Sequence, residues 1–308
     1  MNEDRLRRIN HDNSSRQRKD YPDVKPWVIA AITQEETYAP TLLWKNEPPS
    51  ETIFNERMKR IRFLRKHATS EPTLGNIADR LEGCQNGSRC LSGACQECGR
   101  LMQRWFVRTL KRFIVDNLNN PDCELVALSI APAKPIVRPG NLSKYSVADF
   151  QRRLKYALDE ANIVIAVGGV DFSFNEDRDG GYLPFWCVHP YVICSIEDAE
   201  YIGSVLRRFF KPSKQVPKPI LVPPFRNKAW RRSYALKMHF KRRIGFTEIR
   251  TDADGKNRRC RNTSTDKLRA KERLELFPYL NQIGLEARVI FRGAKPVVMA
   301  KGVLIRRI

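Results

Sequence analysis

Apolar and polar positions alternate most regularly between Cys123 and Val222, and the spacing there predicts six elements in succession. Glu124 to Ile130 (ELVALSI) is an apolar run of strand length and reads as a buried strand. Pro132 to Asn141 is a proline-bearing loop. Ser146 followed by Asp149 is a capping-box pattern that opens a helix, and Val147, Phe150, Leu154, Ala157, Leu158 and Ala161 recur along it at helical spacing. Ile163 to Asn175 is a second strand that ends in strict alternation, Val170, Phe172 and Phe174 against Asp171, Ser173 and Asn175. Asp177 to Gly181 is a turn, and Phe185 to Cys194 is a third strand. Ser195 with Asp198 repeats the capping pattern, and Ile202, Val205, Leu206 and Phe209 continue that helix. Lys218 to Val222 is a short fourth strand.

The order β-α-β-β-α-β is the split βαβ, ferredoxin-like arrangement. It implies an α+β core: an antiparallel sheet with helices on one face and the other face open. Before this core, Gly99 to Leu118 carries an apolar stripe of Leu101, Met102, Trp105, Phe106, Leu110, Phe113 and Ile114. Arg100, Arg104, Arg108, Lys111 and Arg112 lie largely off it, as a solvated face or as one turned to DNA. Pro48 and Pro49 mark a loop, and Glu56 to Lys66 is a basic helix. After the core come a polar loop (Asp252 to Thr265), a helix from Asp266 to Ile283 stopped by Gly284, and two strands near Glu286 to Phe291 and Val297 to Ile305. The divisions expected are therefore a disordered basic tail (1–24), an N-terminal region (25–120), the α+β core (121–245) and a C-terminal extension (246–308).

Charge changes the picture. The 308 residues carry a net charge of +22. Between Arg207 and Arg243 there are thirteen lysines and arginines and no acid. Such a run repels itself unless a polyanion lies against it, which points to nucleic acid. Arg226, Lys228, Arg231, Arg232, Lys241, Arg242 and Arg243 are the candidate contacts. An anionic membrane surface is the weaker alternative, and no membrane partner is expected, because no apolar run reaches the about 18–20 residues that span a bilayer. The polar start, with Glu3, Asp4 and Asp12, resembles neither a signal nor a transit peptide, so a cytoplasmic protein is expected.

Of eight cysteines, four cluster as Cys84-x5-Cys90-x4-Cys95-x2-Cys98, with Gly83, Gly87, Gly93 and Gly99 supplying turns. Thiolates bind zinc tetrahedrally, and the spacing predicts a closed, structural zinc site that anchors the following helix. The competing reading is a redox-active Cys95/Cys98 pair beside buried thiols. Two further constellations bear on chemistry. In Trp186-Cys-Val-His189-Pro-Tyr191, residues 189 and 191 share a strand face, as Asp171, Ser173 and Asn175 do on the preceding strand. His189 reads either as a core residue or, beside Asp171 and Glu176, as a ligand of Mg²⁺ or Mn²⁺. In Tyr234-x-x-Lys237 a phenol and an ammonium stand one helical turn apart, either packed and solvated or paired at a phosphate.

A strand like Val126-Ala-Leu-Ser-Ile130, then His189-Pro-Tyr191, then Tyr234-x-x-Lys237, resembles the three motifs of rolling-circle replication initiators, the HUH endonucleases. The resemblance covers roughly residues 123–243. It implies the same core, a divalent metal on His189, and a Tyr234 nucleophile that forms a 5′-phosphotyrosine and frees a 3′-OH, assisted by Lys237. It also implies a replication origin or single-stranded DNA of a plasmid or mobile element as partner, alongside host replication proteins. Tyr191 departs from the family, which carries a second histidine there. The alternatives are a catalytically inactive zinc-containing nucleic-acid-binding regulator, and an RNA-binding protein that would need sheet aromatics such as Phe172 and Phe174 exposed for stacking. Tyr201 and Tyr279, both read as packed, are the other tyrosines weighed as nucleophiles.

Overall fold

The computed structural model describes residues 24–38, 42–118, 123–132, 134, 136–251, 254–300 and 302–308. The tail expected at 1–24 lies outside them except for Val24. The described residues form an α+β protein with eight α-helices and a mostly antiparallel sheet. None of these helices is long and apolar enough to cross a membrane.

Four helices come first: α1 (Pro26–Thr37), α2 (Ser50–His67), α3 (Pro72–Glu82) and α4 (Gln96–Asn117). Every residue of the apolar stripe expected on α4 is buried, and Trp105 stacks on Trp27 of α1 with centroids 5.2 Å apart. The basic residues beside the stripe divide: Lys111 and Arg112 are solvated as expected, whereas Arg100, Arg104 and Arg108 are turned inward onto acids. Arg104 is buried between Glu35 and Glu47, Arg108 pairs with Glu35 at 3.0 Å, and Arg100 pairs with Glu47 at 3.0 Å. The two carboxylates come from α1 and from the loop before α2, so these ion pairs tie the N-terminal helices together.

The core follows as β1 (Glu124–Ile130), α5 (Val147–Glu160), β2 (Ala166–Asp177), β3 (Phe185–Ile196), α6 (Ala199–Phe209) and β4 (Ile220–Leu221). The strand order β4-β1-β3-β2, antiparallel throughout, is the ferredoxin-like order expected from the hydrophobic pattern. Ser146 caps α5, its hydroxyl accepting from the Asp149 amide at 3.1 Å. Ser195 does not cap α6. β3 continues through it to Ile196, and Asp198 is the cap, accepting from the amides of Glu200 and Tyr201.

Beyond the core come α7 (Ala229–Ser233), β5 (Lys241–Thr251), β6 (Asn257–Lys267), α8 (Ala270–Ile283), β7 (Val289–Arg292), β8 (Ala294–Met299) and β9 (Gly302–Arg307). The polar loop expected at 252–265 is largely strand β6. Its residues (NRRCRNTSTDK) are polar on both faces, so no apolar alternation announces it, and its place comes from pairing with β5. The helix consequently starts at Ala270, not Asp266, and three short strands close the chain where two were expected. β5 runs parallel to Ser173–Asp177 of β2, while β7 takes Ala166–Gly169 of the same edge. Because β5 crosses residue 245, the core and the C-terminal segment share one sheet. N-terminal helices, core and C-terminal helix likewise contribute to one hydrophobic cluster.

Glu35 holds two arginines in a buried setting, so its loss strands both. Glu35→Ala is expected to lower unfolding stability by about 3–5 kcal/mol in urea titrations, well beyond an exposed pair such as Arg112–Asp116.

Candidate functional site

Two sites emerge from this frame. The first is the cysteine cluster. Cys84 follows the C-terminus of α3, the Gln85–Ser88 turn reverses the chain through Gly87 (φ 76°), Cys95 is the N-cap of α4, and Cys98 sits in its first turn. All four thiols are buried and their sulfurs lie within 4.8 Å of one another. Three of the separations are 3.6, 3.7 and 3.7 Å. Four sulfurs at the zinc–thiolate bond length of about 2.3 Å would stand about 3.8 Å apart at tetrahedral angles. The set is therefore compatible with structural zinc. Its electrostatics agree: hydrogen bonds from its three neighbours drive the Cys84 thiol far down, and bonding to that thiolate pushes Cys90 and Cys98 up. A divalent cation would favour the thiolate form of all four. Cationic support is at hand, with the Arg89 guanidinium 3.8 Å from Cys84 Sγ and Arg57 and Arg60 bonded to the carbonyls of Cys84 and Ala94.

The second site lies on the sheet face expected to be open. Over β2 and β3 that face is covered. Ala235 packs its backbone onto Gly169, where a Cβ would sit 2.1 Å from the Ala235 carbonyl oxygen. The basic arm thereby folds back across the strands, and α4 lies behind it, Gln103 donating to the Ser233 carbonyl at 2.8 Å. Asp171 and His189 are direct cross-strand partners, with Nε2 3.5 Å from Oδ2. Lys237 reaches the same Oδ2 at 2.9 Å and lies 3.4 Å from the centre of the Tyr234 ring. The Tyr234 ring also meets Tyr191, with centroids 5.1 Å apart. Asp171, His189, Tyr234, Lys237, Lys241 and Arg243 all line one cavity of about 480 Å³. Tyr234 is 45% exposed.

Burial dominates the titration of this group. It would raise the Asp171 carboxyl, but Lys237, His189 and Arg288 together carry it below its ordinary value. Burial lowers the His189 imidazole in spite of Asp171, so the ring is neutral at pH 7. Burial raises the Tyr191 phenol above its ordinary value. The fit to Mg²⁺ or Mn²⁺ is poor. Glu176, the third expected ligand, sits on the opposite face of β2 and pairs with Arg242 and Arg269. Asp171, a second expected ligand, already carries the Lys237 ammonium. The described residues hold no His/Cys/Asp/Glu cluster of three or more besides the four cysteines.

The candidate phosphate contacts divide. Arg226, Lys228, Lys241 and Arg243 are exposed, and Arg231 is half-buried against Trp230. Arg232 and Arg242 are buried and already committed. Arg232 donates to the carbonyls of Val107 and Asn227, and Arg242 to Asp266. Phe172 and Phe174 are buried against Tyr279 and Trp186, so neither offers a stacking surface. Tyr279 is packed as expected, whereas Tyr201 is half-exposed on α6. Sequence reasoning missed the cavity wall contributed from the N-terminal side: Trp44, Asn46, Arg100 and Gln103. Arg100 Nε there is buried without a hydrogen-bond partner. The available signal for the covered face was Gly168-Gly169 within a strand, a mark of close backbone approach.

No family model matches the chain, and no curated protein or solved structure matches it.

The purified protein is expected to hold about one zinc ion per chain, with Cys98→Ser losing it and unfolding at lower temperature. A metal-free native protein with four titratable thiols is the contrary result. For His189, the folded pKa lies below that of the unfolded chain. As pH falls through about 6.5 the unfolded chain takes up the proton first, and stability declines. Asp171, also depressed, adds its loss only below about pH 4. Thermal midpoints from pH 8 to 5 should fall less for His189→Gln than for the wild type, the remainder coming from other groups such as His239, which burial also lowers.

Proposed function

We propose that this chain is a DNA-binding protein of the replication-initiator kind that joins itself to a single strand through Tyr234. The observation that carries this reading is the assembly of one half-exposed tyrosine, one part-buried histidine whose pKa burial lowers, and several cations in a single cavity. The cavity is roomy enough for part of a nucleotide chain. Lys241 and Arg243 on its rim would hold the phosphates flanking the scissile one. The Tyr234 oxygen attacks phosphorus, and its proton passes to a base for which neutral His189 is the candidate. The P–O3′ bond breaks, the electron pair stays on the leaving 3′-oxygen, and that oxygen takes a proton to give a free 3′-OH. The 5′-phosphate stays on the tyrosine. Lys237, fixed by Asp171 below the phenol ring, offsets the charge that grows on the phosphoryl oxygens. No step is routed through a divalent metal, because the donor set fits one poorly. The four-cysteine site has a structural part only, through α4.

One observation favours a second reading, in which the protein binds nucleic acid without cutting it. Tyr191 stands where the resembled family carries its second histidine, and its ring packs on Tyr234 instead of presenting a ligand. A single assay separates the two. Single-stranded DNA labelled at its 3′ end is incubated with the protein, with and without Mn²⁺, then denatured and run on a gel. The expected result is a labelled adduct, lost in Tyr234→Phe and reduced at least about a hundredfold in His189→Ala. Binding with no adduct under any condition would leave the second reading standing.

A further inference from the structure

β5 and β6 run well past the sheet that anchors them. β2 pairs β5 only from Lys241 to Gly245. From Phe246 to Thr251 and from Asn257 to Asn262 the two strands pair with each other and with no other strand. At about 3.3 Å per residue that ribbon projects about 20 Å. Its exposure is high on both strands, and Ile249 is 69% exposed.

The charges on the ribbon are sorted by face. The register places Lys241 opposite Lys267, Arg243 opposite Thr265, Thr247 opposite Arg261 and Ile249 opposite Arg259. These odd-numbered positions share one face. That face carries five exposed lysines and arginines (Lys241, Arg243, Arg259, Arg261, Lys267) and not one acid. Both acids of the two strands, Glu248 and Asp266, lie on the other face, where they pair with Arg250 and Arg242. Like charges set directly opposite one another, as Lys241 and Lys267 are, destabilise a strand pair unless an anion lies over them. Among the described residues, Arg261 is the one cation of this face paired with acids, Asp177 at 2.6 Å and Asp179 at 3.0 Å. The same face begins at the Tyr234 cavity, whose lining includes Lys241, Arg243 and Thr265.

We infer that this basic face of the β5–β6 ribbon binds duplex DNA, with the ribbon lying in the major groove beside the strand held at Tyr234. The occupant follows from shape and chemistry. A major groove about 12 Å wide admits a two-stranded ribbon. The deep, narrow major groove of an RNA duplex does not. A single strand would want exposed aromatic rings to stack on, whereas the strands' own residues on this face are arginine, lysine, threonine, asparagine, glycine and one isoleucine, with only the part-buried Tyr182 of the preceding hairpin beside Gly245. The inference concerns duplex affinity and stands whether or not Tyr234 cuts.

The test uses the full chain and a fluorescent DNA duplex of arbitrary sequence, titrated across a range of salt. The double variant Arg259→Ala/Lys267→Ala removes two exposed charges from the ribbon face. Arg112→Ala removes an exposed charge from α4 as a control. The double variant is expected to lose roughly tenfold in duplex affinity per contact at 0.1 M salt, with the slope of log K against log salt falling by about 0.9 per contact. Arg112→Ala should match the wild type, and the variant's affinity for a single strand should change less than about twofold. Unchanged duplex affinity and slope in the double variant would overturn the inference. So would an equal loss on a single strand or on an RNA duplex. Formation of the Tyr234 adduct on single strands, measured separately, reports on the proposed chemistry and not on the ribbon.

Discussion

The seating of one short arm on the sheet is the constraint from which the rest follows. Residues 229–238 run across β2 and β3 because two backbones can touch at Gly169, where no side chain intervenes. Lys237 then finds Asp171, a carboxylate it could not reach from any solvated position. Arg288 closes the joint from the other side, donating to the carbonyls of Val170 and Lys237 at 3.3 and 2.5 Å. A buried ion pair contributes little net stability, since desolvation offsets attraction, but it penalises every other seating of the arm. Position, more than energy, is what the pair supplies. It puts the ring of Tyr234 on the rim of the cavity that His189 also lines.

The cysteine cluster acts on this seating at a distance. Its last two thiols belong to the start of α4, and Gly99 in the same turn packs against Met238 of the arm. Further along α4, Gln103 holds the Ser233 carbonyl and the Val107 carbonyl accepts from Arg232. Fixing the first turn of α4 therefore fixes the back wall of the cavity. The buried Glu35 and Glu47 pairs do the same work from the N-terminal side, which is why arginines on α4 that look like a nucleic-acid surface are internal struts.

Much of this was legible in the chain because hydrophobic periodicity is a local signal. The stripe from Leu101 to Ile114 and the alternation from Val170 to Asn175 gave α4 and β2 directly. The pairing of Asp171 with His189 followed from parity once a hairpin was assumed. The four cysteines announced themselves by spacing. What escaped was non-local. β6 has no buried face, so nothing in its own residues separates it from a loop; its partner β5 decides. Glu176 ends the polar strand that carries Asp171, but one extra residue turns its side chain to the other face and into the reach of Arg242. The buried partners of Arg104 and Arg232 lie far away along the chain, beyond any periodicity argument.

The seating of the arm is most directly measured by a double-mutant cycle on Asp171→Asn and Lys237→Met, read as unfolding free energy at pH 7. If the two groups meet in a buried pair, each single change is destabilising, the double change costs little more than either, and the coupling energy comes to about 1–3 kcal/mol. Effects that add to within about 0.5 kcal/mol would mean that Lys237 does not rest on Asp171, and that the arm carrying Tyr234 is not seated through this pair.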